Sequence, residues 1–164
     1  MKKKVLIVSD SHGRHENVLA AIDMEKPIDY LFHLGDLQGR EAEIEEAAGC
    51  PAYMVAGNCD FFSSLPSIRL VEIGSHRILL AHGHQFRVSS QLGTRLLRAE
   101  ALKAGCDLAV FGHIHQPVIE RDEEITVLNP GSIASPRQAD RRRTYMVLEL
   151  EDGKAPEDIE VKYL

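Results

Sequence analysis

The chain has 164 residues, a length that suits one domain and allows it to bury a sizeable hydrophobic core. Hydrophobic residues make up 44% of it and charged residues 27%, a balance typical of soluble globular proteins. The formal net charge of -6 argues against general binding to nucleic acid or to anionic membranes, because such binding needs a basic face.

The first residues, Met1-Lys2-Lys3-Lys4, resemble the charged start of a signal peptide, but the chain then departs from that pattern. The apolar run over residues 5–8 is shorter than the ~7–15 residues that a signal peptide requires, and no later run approaches the ~18 residues of a membrane span. The three cysteines include no Cys-x-x-Cys pair, which favours free thiols in a reducing compartment. We therefore expect a cytoplasmic protein that does not bind membranes.

Strand and helix patterns alternate at the start of the chain. The predicted strands and helices cover, in turn, residues 4–8, 14–25, 28–34, 40–48 and 53–56. The strands are short runs of apolar and β-branched residues, and the first helix has Val18, Leu19 and Ile22 on one side. This alternation predicts right-handed βαβ units and a parallel sheet.

Strand patterns dominate after residue 60. Strands are predicted at residues 68–73, 77–81, 108–111, 117–120, 125–128, 144–150 and 159–163. The first two flank Gly74-Ser75 as a hairpin, and a helix is predicted at about residues 89–104, stopped by Gly105. Because the sequence has no repeat and no linker, we expect a single domain over residues 1–164. We expect this domain to be of the α/β class, with two stacked β-sheets flanked by helices.

Five of the apolar runs are followed by residues of types that bind metals. These residues are Asp10, His12, Asp36, Asn58, His82, His113 and His115. The carboxyl ends of parallel strands share one edge of a sheet, so segments far apart in sequence can bring side chains to one cleft. Each residue alone also has a structural explanation, because polar residues, Asp and Asn above all, favour the turns after strands. Taken together, the seven side chains predict a metal site.

The donor types limit the choice of metal. Nitrogen and oxygen ligands without thiolate suit manganese, iron, zinc or nickel, and are too rich in nitrogen for a magnesium or calcium site. Seven donors are too many for one ion with open positions. They suit two ions that share a carboxylate, which lie ~3.5–4 Å apart in known sites.

The same segments resemble the motifs of a known family. The motifs are Asp10-Ser11-His12, Gly35-Asp36, Gly57-Asn58-Cys59-Asp60, His82-Gly83 and Gly112-His113-Ile114-His115. In this order they resemble the calcineurin-like metallophosphoesterases. The short length and the segment Asn129-Pro130-Gly131-Ser132 look most like the small YfcE-type phosphodiesterases of that superfamily. The resemblance covers essentially the whole chain and implies the family's four-layer sandwich, two mixed β-sheets between helices.

The resemblance also implies the ligands of each ion. One ion would be held by Asp10, His12, Asp36 and His115. The other would be held by Asp36, Asn58, His82 and His113, so Asp36 would bridge the two. Manganese is favoured among the family's metals, with nickel, iron or zinc as alternatives. The implied reaction is hydrolysis of a phosphate diester by a hydroxide that bridges the two ions, with Asp36 and Asn58 as catalytic residues.

Cys59 stands where many relatives have a histidine that is taken to protonate the leaving group. A thiol suits this role poorly, because its ordinary pKa is ~8.5 and it is a weak hydrogen-bond donor. Loss of a general acid typically costs ~10²–10⁴-fold in rate, so we expect a preference for activated diesters. Asp60 and His84 are candidates to support the ligands or contact substrate, although His84 also fits a solvated loop histidine. Phe61-Phe62 fit core or interface packing better than stacking on a nucleobase.

Three functions compete on this sequence. The leading one is a metal-dependent phosphodiesterase acting on a small phosphodiester, and the second is a phosphomonoesterase or nucleotide phosphatase. The third is a protein-binding scaffold such as the retromer subunit of this fold, which also lacks the histidine at the position of Cys59. The complete set of ligands favours catalysis, and the sequence leaves homo-oligomer formation open.

Overall fold

The computed structural model describes all 164 residues and contains two five-stranded β-sheets. The first sheet contains β1 (Lys2–Val8), β2 (Tyr30–His33), β3 (Ala52–Met54), β9 (Thr144–Glu151) and β10 (Asp158–Tyr163). The second sheet contains β4 (Ile68–Ile73), β5 (His76–Ala81), β6 (Leu108–Val110), β7 (Pro117–Arg121) and β8 (Thr126–Pro130). The helices are α1 (His15–Glu25), α2 (Glu41–Ala48) and α3 (Arg95–Lys103).

Both sheets are mixed. In the first, with order β10-β9-β1-β2-β3, strands β1, β2 and β3 run parallel and β9 pairs antiparallel with β1. In the second, with order β4-β5-β6-β8-β7, strands β5, β6 and β8 run parallel, and the two edge strands are antiparallel to them. The parallel strands are therefore neighbours in both sheets, along one side of the first sheet and in the middle of the second.

Three apolar clusters give the order of the layers. Side chains alternate along β1, so Val5 and Ile7 pack toward the second sheet, where they join Ile78 and Val110. The opposite face of the first sheet packs against α1 and α2, and the outer face of the second sheet packs against α3. The arrangement is helix, sheet, sheet, helix, which confirms the predicted fold class.

Most predicted elements are present, with one clear error of extent. The hairpin at Gly74-Ser75 is confirmed, because Ile73 pairs with His76 across the turn. The helix predicted over residues 89–104 is shorter in the structure, since α3 begins at Arg95. Residues 89–94 form turns closed by a bridge between Ser89 and Gly93, and Leu92 is exposed. Leu92 fits the helical hydrophobic period although it lies outside the helix. None of the three helices could cross a membrane.

Candidate metal centre

Loops that follow the parallel strands gather carboxylates and imidazoles between the two sheets. The atoms that could bind metal fall into three groups, each with all its atoms within 4.8 Å of one another. The groups are Asp10 with His12 and His115, Asp10 with Asp36 and His82, and His12 with Asp36 and Cys59. Five of the seven predicted ligands thus lie together, although they come from four separate loops.

Asp10 lies at the centre of this arrangement. Its Oδ1 is 3.2 Å from Nε2 of His115, 3.7 Å from Nε2 of His82 and 3.8 Å from Nε2 of His12. Asp10 Oδ1 and His82 Nε2 are both buried and have no hydrogen-bond partner. Buried polar atoms without a partner are costly, and bound cations would satisfy both of them. The residues present therefore fit a bound metal.

The second carboxylate faces two imidazoles at once. Asp36 Oδ2 lies 3.2 Å from Nε2 of His82 and 3.6 Å from Nε2 of His12, and its Oδ1 accepts the Cys59 N–H at 2.8 Å. Burial would raise the pKa of Asp36, but its contacts with His82 and the Cys59 N–H lower it overall. This carboxylate is therefore ionised at neutral pH, as a metal ligand must be.

Three imidazoles are oriented through their other ring nitrogen. Nδ1 of His82 lies 2.6 Å from the Leu34 carbonyl oxygen, and Nδ1 of His115 lies 2.6 Å from the Ser135 carbonyl oxygen. Nδ1 of His12 lies 3.1 Å from Oε1 of Gln38. An oxygen acceptor holds the proton on Nδ1, which leaves the Nε2 lone pair of each ring facing the carboxylates.

The other predicted residues lie around this group. His113 is outside the three groups, with its ring centroid 5.1 Å from that of His82, and its N–H donates to Asp10 Oδ2 at 3.0 Å. Burial and the charge of His82 lower the pKa of His113 and of His84. Asn58 is exposed on the loop after β3. Burial and the Asp36 carboxylate raise the pKa of the Cys59 thiol.

Asp60 holds two of these loops together. Its Oδ2 accepts the N–H groups of Asp36 at 2.7 Å and Gly57 at 2.8 Å, and its Oδ1 accepts that of Gln38 at 2.7 Å. Gly57 itself is required by close packing, because a Cβ there would collide with the Asp36 side chain. The loop that carries Asn58 is thus bound to the loop that carries Asp36.

Two further side chains support the site, and the sequence analysis gave no role to the first of them, His33. His33 is fully buried beneath the site, where Nδ1 accepts the Gly35 N–H at 3.2 Å and Nε2 lies 2.9 Å from Ser11 Oγ. Burial lowers the pKa of His33 to about 4, so the ring is neutral. Ser132 Oγ donates to the Asp10 carbonyl at 2.8 Å. For His33 the only signal in the sequence is its position close to a predicted motif, whereas Ser132 belongs to the segment Asn129-Pro130-Gly131-Ser132 that carries part of the family resemblance.

The backbone at the site is strained. Asp10, His12, Asp36, His113 and His115 all have positive φ, between 46° and 72°. Residues other than glycine rarely adopt this conformation, and it costs of order 1–3 kcal/mol for each residue. Such strain persists where the surrounding structure enforces it, and it concentrates at functional sites.

This fold and this group of carboxylates and imidazoles define the class of metal-dependent phosphoesterases. The chain belongs to the calcineurin-like phosphoesterase superfamily, whose domain model matches residues 3–153. This confirms the resemblance seen in the sequence. Members of the superfamily depend on two metal ions, and the Asp and His groups described here could bind them.

Relatives with known names agree with this assignment. Probable metallophosphoesterase YsnB of Bacillus subtilis is 38% identical over 152 residues, which cover 92% of this chain and 86% of YsnB. Phosphodiesterase YfcE of Escherichia coli K12 is 27% identical over 158 residues, covering 82% of this chain and 81% of YfcE. A crystal structure of a predicted phosphoesterase from Streptococcus pneumoniae has a TM-score of 0.84 and 30% identity, covering 100% of this chain and 90% of that one.

Structures of vacuolar protein sorting 29 share the fold. Wild-type Vps29 from Entamoeba histolytica, complexed with zinc, has a TM-score of 0.74 at 21% identity and covers 98% of both chains. At this level of identity the likeness concerns the fold alone.

Proposed function

We propose that this chain is a metal-dependent phosphodiesterase that hydrolyses small phosphate diesters with two divalent ions, manganese being favoured. The observation that carries the proposal is a pair of buried atoms without hydrogen-bond partners, Asp10 Oδ1 and His82 Nε2. They lie within a group of other carboxylate and imidazole atoms that could bind metal. Phosphodiesterase YfcE, which is similar over most of its length, supports the choice of diesters.

The ligands would be shared between two ions. Asp10, His12, Asp36 and His115 would hold one, and Asp36, Asn58, His82 and His113 would hold the other. The position of Asp36 Oδ2 between His12 and His82, one from each set, supports a bridging role. Carboxylate, imidazole and amide donors suit manganese, with nickel, iron or zinc as alternatives.

Bound at this site, two divalent ions supply a nucleophile at neutral pH and positive charge opposite the phosphoryl oxygens. Residues of the chain would bind the phosphoryl group and determine which leaving groups are favoured. The Asn58 side chain is exposed, so its NH₂ group is free to donate to a phosphoryl oxygen. Position 59 offers a thiol in place of an imidazole, so esters with good leaving groups would be cleaved fastest. The three cysteines are free thiols, which supports a cytoplasmic location for this single domain.

The test is hydrolysis of bis(p-nitrophenyl) phosphate by purified protein with added Mn²⁺. Asp36→Asn should lose more activity than the roughly 10–100-fold typical of an outer partner of a metal ligand. Asp23→Asn, an equal change of charge on the exposed side of α1, should retain full activity. Equal rates for the wild type and Asp36→Asn would mean that the activity belongs to a contaminant and would refute the proposal.

Two other outcomes would select the competing functions. Faster cleavage of p-nitrophenyl phosphate than of the diester would identify a phosphomonoesterase. A protein that binds Mn²⁺, hydrolyses neither ester and forms a stable complex with another protein would be a scaffold, which the fold shared with Vps29 allows.

A further inference from the structure

A large cavity opens beside the metal centre. It has a volume of about 750 Å³, within the range of small-molecule sites. Its lining includes Cys59, whose Sγ lies within 4.8 Å of ligand atoms of His12 and Asp36. It also includes Gln38, whose Oε1 contacts Nδ1 of His12. The cavity and the metal centre therefore share a wall, and a molecule held at the metals can extend into the cavity.

Two aromatic rings form part of this wall and remain uncovered. Phe61 is 78% exposed and Phe62 is fully exposed, so neither packs in the core, and of the expected core or interface packing only the interface remains. Phe62 also has a φ of 59°, a conformation that a bulky residue avoids. Strain in an exposed aromatic residue brings no gain in packing. It is explained if the ring has to present its face to a ligand.

The charge of the cavity limits what that ligand can be. Glu41 and Glu45 line it from α2, and their spacing of four residues puts them on the same side of the helix. None of the twelve lining residues is a lysine, arginine or histidine. A second phosphate group would therefore be repelled. Two carboxylates beside aromatic rings favour a flat, uncharged group with N–H donors.

We propose that this cavity binds one ester arm of the diester substrate, and that this arm carries a nucleobase with adjacent N–H donors, as in guanosine. The base stacks on Phe62 and donates hydrogen bonds to Glu41 or Glu45. This inference rests on the proposed phosphodiesterase function, and it narrows the substrate class to nucleoside phosphodiesters without further phosphates.

The first test compares two substrates with the same leaving group, guanosine 5′-(p-nitrophenyl phosphate) and methyl p-nitrophenyl phosphate. Phe62→Ala should lower kcat/KM for the guanosine ester about 5- to 150-fold, mainly through KM, which is the loss of affinity expected when one base loses its stacking on an aromatic residue. The methyl ester, which cannot reach the ring, should be cleaved as by the wild type. Met24→Ala is the matched control. Met24 is exposed and lies beside β10, the edge strand of the first sheet on the side away from β3.

The acidic wall gives a second comparison. The wild type should prefer the guanosine ester to the thymidine ester, because guanine offers adjacent N–H donors and thymine a single one. Changing the wall with Glu41→Gln and Glu45→Gln together should reduce that preference. Equal effects of Phe62→Ala on the methyl and guanosine esters, or no effect on either, would overturn the inference while leaving the phosphodiesterase function intact.

Binding without catalysis separates the two proposals. Saturation-transfer NMR of guanosine with metal-free protein should give a signal that Phe62→Ala removes and Met24→Ala retains. If that signal is present but no diester is cleaved with any metal, the phosphodiesterase function fails and the nucleoside site stands. If guanosine gives no signal and sedimentation shows that Phe62→Ala dissociates a dimer, the two rings form a contact between copies and the inference is overturned.

Discussion

Asp60→Asn tests whether the metal centre depends on the contact between its two loops. The Asp60 carboxylate accepts three backbone N–H groups, from Asp36, Gln38 and Gly57, at 2.7, 2.7 and 2.8 Å. Asparagine has nearly the same shape but only one acceptor oxygen. That oxygen can serve Asp36 and Gly57, which share Oδ2 in the native protein. The new NH₂ group then faces the N–H of Gln38. Because both groups are donors, the hydrogen bond to Gln38 is lost.

The size of the effect follows from the number of bonds lost. A hydrogen bond to a charged group contributes ~1.5–3 kcal/mol, and at least one is lost here, so unfolding should become easier by about that amount. Metal binding should weaken by a similar free energy, because loss of an outer partner typically lowers metal affinity ~10–100-fold, or ~1.4–2.7 kcal/mol. The two figures agree, as expected if the bonds act mainly by holding Asp36 in place.

Urea unfolding of metal-free protein, followed by circular dichroism, measures the first quantity, and calorimetric titration with Mn²⁺ measures the second. Asp23→Asn provides the control, because it removes the same charge from an exposed position on α1. If Asp60→Asn unfolds at the wild-type urea concentration and binds Mn²⁺ with wild-type affinity, the three bonds do not position the site.

Two further predictions concern buried polar groups. The pKa of His33 is lowered to about 4 from an ordinary 6.5, so the folded chain binds fewer protons than the unfolded chain. Its contribution to stability is complete above pH 6.5 and is lost as the pH falls toward 4, by about 2 kcal/mol at pH 5. Urea unfolding at about pH 8 and pH 5 should show this loss in the wild type but not in His33→Asn. Tyr145→Phe removes a buried 2.6 Å bond to Glu25 and should lower the free energy of unfolding by ~1.5–3 kcal/mol. Because Glu25 lies beside Lys4 near the start of β1, Mn²⁺ affinity should not change in calorimetric titration.

The sequence predicted the elements that build the site because their signals are local. Apolar runs ending in Asp, Asn or His predicted both the strands and the edge at which their side chains meet. The extent of a helix was less predictable, because an apolar residue outside the helix can match its hydrophobic period by chance. Leu92 fits the helical spacing of α3, yet it lies in a turn before Arg95. A hydrophobic period does not show where along the chain the helix stops packing against the sheet.

The contacts of the supporting residues could not be predicted, since their partners are distant in sequence. Asp60 has the composition of an ordinary turn residue, and its function depends on N–H groups 22 and 24 residues away. His33 ends a strand as the predicted ligands do, but its ring is buried and contacts Ser11 instead of the metal centre. Residue type and position after a strand are therefore insufficient to separate a ligand from a support.

Backbone strain connects the fold to the proposed chemistry. Five predicted ligands have positive φ, and the loops that carry them are tied down by bonds from other segments. Asp10 is fixed through its carbonyl by Ser132, and Asp36 through its N–H by Asp60. These bonds offset conformations that a free loop would leave, so the side chains stay close together even though like groups face one another. Part of the stability that the two sheets provide thus offsets the cost of holding the metal-binding geometry in the absence of metal. Removing one of these bonds should therefore weaken metal binding together with the fold.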